Sequence, residues 1–129
     1  MKHLVLAGGI IGLLAGCGAD LGDPRTQAIL QLPSQRHYAE RQLAIELTQR
    51  CNRYSYDQKL ADAMSDVRRD AGQPNSLQVR EGSALEADVR RRTLASLYGG
   101  DWAALDACAA LDAETAQGSP FTVLAKRTG

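Results

Sequence analysis

The sequence predicts an all-α domain, a small bundle of about four helices, and three observations carry that expectation. Apolar residues recur every three or four positions through four successive stretches. Helix-start residues stand ahead of those stretches, and glycine or proline closes them. No run alternates polar and apolar residues, with β-branched enrichment, for long enough to read as a strand. The length of 129 residues leaves room for one domain. Fifteen basic and fifteen acidic residues cancel, so no global field attracts nucleic acid, and no nucleic-acid partner is expected. One Trp, one Phe and four Tyr leave most of the core to Leu, Ala, Val and Ile. A domain this small buries only about two-thirds of its unfolded surface, so any cross-link weighs heavily in its stability.

The first element is a sorting segment. Met1-Lys2-His3 is a short basic start, Leu4 to Leu14 is an apolar run, and Ala15-Gly16 places small residues before Cys17. That is the layout of a secretory signal over residues 1–16. The run is too short for a membrane span, which takes about 20 apolar residues. Leu14-Ala15-Gly16-Cys17 resembles the lipobox of bacterial lipoproteins. The resemblance implies that the Cys17 thiol takes diacylglycerol, that cleavage falls just before it, and that a lipid holds the mature protein on a membrane. Two or more acyl chains give stable anchoring where one does not. In many such proteins an Asp after the cysteine favours the inner membrane; Gly18 stands there, which favours the outer membrane, facing the periplasm.

Residues 17–33 are expected to form the lipidated N-terminus and a flexible tether, with Gly, Asp and Pro concentrated in its first third. Ala28 to Leu32 is more apolar, suited to a helical turn or to packing on the domain, and Pro33 closes it. The helical domain then spans 34–129. Ser34 is the expected cap of the first helix, whose Ala39, Leu43, Leu47 and Cys51 fall on one face, broadened by Tyr38 and Ile45. Ser55-Tyr56-Asp57-Gln58 has capping-box spacing and opens a second helix with Tyr56, Leu60, Ala63, Met64, Val67 and Ala71 inward, ended by Gly72 and Pro74. Ser83-Ala84-Leu85-Glu86 repeats that spacing for a third helix with Leu85, Val89, Thr93, Leu94 and Leu97 inward. Ser76 is the alternative start, with Gly82 inside, and Gly99-Gly100 is the end. Asp101 is the expected cap of a fourth helix carrying Trp102, Leu105, Cys108 and Leu111, ended by Gly118. Ser119-Pro120 restarts a turn that docks Phe121 and Leu124 on the bundle.

With Cys17 given to lipid, Cys51 and Cys108 remain, both on apolar sides, in a compartment that permits oxidation. A disulfide between them is the expected state and two buried thiols the alternative; no Cys-x-x-Cys spacing points to redox chemistry. The order of a helix ending at Cys51, a helical middle, and Cys108-Ala-Ala-Leu-Asp-Ala-Glu-Thr-Ala-Gln-Gly-Ser-Pro with an apolar tail also looks like small two-cysteine secreted helical proteins of proteobacteria. That resemblance implies fold and disulfide and brings no activity.

Little catalytic chemistry is visible. Once the signal is gone His37 is the only histidine; beside Arg36 among polar residues, it is expected at the surface. One histidine does not make a zinc site, and no metal or cofactor is expected. Asp62, Asp66 and Asp70 share a helix face that Lys59 and Arg69 partly neutralise, so a solvated face is expected. Asp112 and Glu114 point apart, against a paired acid and base. Arg90, Arg91 and Arg92 form the densest basic cluster, the one candidate binding patch for phosphate headgroups or an acidic partner. The expected function is therefore a lipid-anchored, non-catalytic cell-envelope protein that binds another envelope protein; the alternative is a periplasmic carrier or sensor enclosing a small apolar ligand.

Overall fold

The computed structural model describes residues 20–128, so the expected signal, Cys17 and the first tether residues lie outside the described part. Among the described residues five α-helices, a 3-10 helix and a two-stranded antiparallel sheet surround one core. The bundle is mostly helical, as the apolar periodicity predicts, and the sheet is the departure from all-α.

Helix α1, Pro24–Leu30, falls within the segment expected as tether. Asp23 caps it by accepting the Arg25 amide at 2.8 Å, and proline suits its first position because the missing N–H is one a helix start leaves unpaired anyway. Thr26 and Ile29 are wholly buried, so the tether expectation is corrected here: the domain begins by Pro24. Helix α2, Ser34–Gln49, buries Ala39, Leu43, Ala44 and Leu47, and Cys51 just beyond it is buried too. Ser34 does not cap it. The serine is the first helical residue, and its hydroxyl accepts a hydrogen bond from Arg68 at 2.6 Å.

Strand β1, Tyr54–Tyr56, pairs with β2, Ala125–Arg127, Tyr54 opposite Arg127 and Tyr56 opposite Ala125. Three residues per strand are too few for an alternation signal, which is why sequence periodicity missed both. The sheet also displaces a cap. Ser55 is committed to the ladder, so helix α3, Gln58–Asp70, is capped by Asp57, which accepts the Leu60 amide at 3.1 Å. Leu60, Ala61 and Met64 face inward, whereas Val67 and Ala71 are exposed because Arg68 takes the buried position on that turn. Gly72, at φ +76°, lets the chain leave the helix.

Helix α4, Arg80–Tyr98, starts at neither expected serine. Ser76 lies in the turn before it; Ser83 is internal, donating to the Arg80 carbonyl at 3.0 Å. Of the residues expected inward Leu94 is buried, joined by Ala87 and Ala95, whereas Leu85, Val89, Thr93 and Leu97 point outward. The cause is its docking on α2. Arg90 reaches Glu40 at 2.7 Å and Arg91 reaches Glu46 at 2.6 Å, so arginine and alanine make the contact. A Cβ on Gly82 would stand 2.6 Å from the Gln35 side chain, a measure of how closely the two helices approach.

Helix α5, Ala107–Gln117, is capped by Asp106, which accepts the Ala109 amide at 3.1 Å. Asp101 instead accepts from the Ala103 amide at 3.2 Å in the preceding turn, held by Arg50, which donates to the Trp102 and Leu105 carbonyls at 3.0 and 2.6 Å. Gly118 ends α5 in the left-handed region at φ +73°. The 3-10 helix Pro120–Leu124 docks as expected, with Phe121 and Leu124 fully buried. Cys51 and Cys108 form the disulfide, with Cα atoms 5.1 Å apart, joining the end of α2 to the start of α5.

Candidate functional site: an arginine-lined cleft

Beyond Asp70 the chain swings out through a turn and returns as α4, which leaves a cleft of about 1170 Å³ among α2, α3 and the start of α4. Tyr38, Arg41 and Ile45 form its α2 wall because spacings of three and four residues stack side chains on one helical face. Leu77 and Leu85 stand at the opposite side, 75% and 70% exposed. Asn75 and Gln78 lock the turn between them: each side-chain oxygen accepts the other residue's amide hydrogen, at 3.0 and 2.8 Å.

Arg41 is the oriented cation of this cleft. It donates to the Ser65 hydroxyl at 2.7 Å and to the Tyr56 hydroxyl at 3.4 Å, and its guanidinium lies 5.2 Å from the Tyr38 ring centroid. Among the described residues no carboxylate comes within 4.0 Å of it. Arg91 differs. Glu46 and Asp88 both engage it, and the pairing holds the Glu46 carboxyl below its ordinary range.

The basic cluster singled out by sequence is thus divided. Arg90 and Arg91 are committed to Glu40 and Glu46 within the fold, and only Arg92 is left exposed without an ion pair among the described residues. Arg41 was missed because an isolated arginine on a half-polar helix carries no compositional signal. The available clue was the ladder of Tyr38, Arg41 and Ile45 along one face.

The other chemistry-bearing residues do not converge on the cleft. Asp62 accepts from Gln58 at 2.9 Å, while Asp66 and Asp70 share Arg69, so the acidic column is solvated as expected. Asp112 takes hydrogen bonds from Arg53 and the Tyr54 hydroxyl; Glu114 takes them from the Tyr98 and Ser119 hydroxyls, on another side of α5. The carboxylate beside Tyr98 raises that phenol above its ordinary value. Among the described residues no three of His, Cys, Asp and Glu gather as a metal site, and no helix is long and apolar enough to cross a membrane.

His37 corrects a further expectation, because it is fully buried where α1 meets α2. Its Nδ1 lies 3.1 Å from the Ile29 carbonyl, which can only accept, so Nδ1 carries the hydrogen and Nε2 is a lone pair without a partner among the described residues. Arg68 lies nearby, giving its guanidinium to the Leu30 and Leu32 carbonyls at 2.9 and 3.2 Å. Burial, with Arg68 and Arg41 adding repulsion against the Ile29 hydrogen bond, lowers the His37 pKa from 6.5 to about 4. The folded chain therefore binds this proton more weakly than the unfolded chain. The stabilisation is present above pH 6.5 and is lost as pH falls toward 4. Urea unfolding is expected to show a loss of about 2 kcal/mol from about pH 7 to about pH 5, and H37Q to flatten that slope. An equal slope in H37Q would assign the effect elsewhere.

Comparison of the chain with protein-family models, curated proteins and solved structures gives no significant match.

Proposed function

We propose that this is a lipid-anchored, non-catalytic cell-envelope protein that captures a segment of another envelope protein in the cleft between α2 and α4. The observation that carries the binding half is the cleft itself, lined by two strongly exposed leucines and an oriented arginine. Its openness to solvent favours a macromolecular occupant over the carrier or sensor alternative, whose ligand would need an enclosed cavity. The anchoring half rests on the resemblance of Leu14-Ala15-Gly16-Cys17 to a lipobox.

The test is crosslinking in intact cells, followed by recovery of the lipidated protein and of C17A and L77S/L85S forms. Partners are expected with the native chain and lost from both variants. Recovery of the same complexes from C17A would remove the anchor from the function, and recovery from L77S/L85S would remove the cleft.

Anchoring at Cys17 also sets a distance. Asp20 stands three positions beyond it, and the Asp20 carbonyl accepts from the Thr26 hydroxyl at 2.7 Å and is thereby tied to α1. Three residues span at most about 11 Å, so the domain rides directly on the bilayer. Neutron reflectometry of the lipidated protein on a supported bilayer is expected to find the protein layer starting within about 11 Å of the headgroups. A thicker water gap would contradict that placement.

A further inference from the structure

Resting on the partner-binding reading, we infer that the occupant of the cleft is an extended acidic-apolar peptide segment of a second protein, its carboxylate seated on Arg41. Three features select that chemistry. The Arg41 guanidinium is held in place by Ser65, Tyr56 and the Tyr38 ring, yet its charge has no carboxylate partner among the described residues. An arginine pre-oriented in this way loses little entropy when it receives a planar anion, and arginine matches carboxylate geometry with paired donors.

The walls beside it are apolar, Ile45 on one side and Leu77 and Leu85 on the other, suited to aliphatic side chains flanking the acidic one. The rim then supplies donors for a peptide main chain. Asn75 and Gln78 use their side-chain oxygens to hold each other's amides, and neither side-chain NH2 group has an acceptor among the described residues. A free fatty acid would use the arginine and the walls but not this rim. Glu81 also lines the cleft, next to Arg80, and so disfavours a second acidic residue at that end of the segment.

The experiment uses the full chain purified in detergent and three probes: a labelled peptide of alternating leucine and aspartate, its asparagine counterpart, and decanoate. Fluorescence anisotropy is expected to show saturable binding of the aspartate peptide, weakened about tenfold or more in the asparagine peptide and in R41Q, as loss of a charge-assisted hydrogen bond requires. The asparagine peptide leaves the protein untouched, so the charge requirement is read even if R41Q fails to fold. Equal binding of the two peptides overturns the inference, as does failure of the aspartate peptide to bind. Displacement of that peptide by decanoate at lower concentration than by unlabelled peptide overturns the choice of a peptide occupant. Because purified protein is used, failure here is separable from failure of the envelope location, which crosslinking in cells reads.

Discussion

Replacing Cys51 and Cys108 together by alanine is expected to lower the unfolding free energy by about 4 kcal/mol, as closing a loop of this length restricts the unfolded chain. The two cysteines are 57 positions apart, and the loop they close contains β1, α3 and α4. In the folded state the bridge ties the buried end of α2 to the first turn of α5. Hydrogen bonds span the same junction, from Arg50 to the Trp102 and Leu105 carbonyls and from Arg53 and the Tyr54 hydroxyl to Asp112, but all of them are at or near the surface, and the bridge is the covalent tie. Domains of this size are stable by roughly 5–15 kcal/mol, so the loss is a large share of the whole. Urea titration of the native and doubly substituted chains checks it through the unfolding free energies extrapolated to water, with a steeper slope for the substituted chain because its unfolded state is no longer held compact. A loss under about 1 kcal/mol would mean that the unfolded chain already holds these segments together.

Phe121→Ala is expected to cost a similar amount, about 4 kcal/mol, within the range for emptying a buried aromatic site. This is the single phenylalanine of the chain, and it is fully buried in the central cluster with Leu43, Leu47 and Leu124. The 3-10 helix that carries it also supports α1 through the hydrogen bond from Arg25 to Thr122 at 3.2 Å, and the Arg90 guanidinium lies 6.0 Å from the Phe121 ring centroid. Alanine there empties a site whose walls are several separate elements, and such walls relax only partly. Thermal unfolding should show a lowered midpoint, and hydrogen exchange should show α1 amides opening with the core. Phe121→Leu, which keeps most of the volume, should recover more than half of the loss. Equal losses from the two substitutions would argue against a cavity as the cause.

The sequence by itself determined the helical character, the Cys51–Cys108 pairing and the inward docking of Phe121 and Leu124. Each depends on local periodicity, on a cysteine count, or on a turn residue whose preference acts over a few positions. Glycine stops were legible for the same reason: Gly72, Gly99 and Gly118 sit at positive φ, a backbone conformation that disfavours most other residues. Only the tertiary structure decided which caps are used: the strand takes Ser55 and leaves the cap to Asp57, and Arg68 engages the Ser34 hydroxyl so that α2 starts without a side-chain cap.

It also decided the face of α4. Hydrophobic spacing assigned Leu85, Val89 and Leu97 to the core, but two ion pairs to α2 and a run of small residues allow a closer approach on the other side. His37 and Arg68 went inward for a related reason: the carbonyls at the end of α1 need donors, and these two side chains reach them. The cleft and the role of Arg41 follow from that arrangement. They depend on which side chains are left without partners once the helices have packed; spacing along α2 puts Tyr38, Arg41 and Ile45 on one face but does not say that Arg41 stays without a carboxylate.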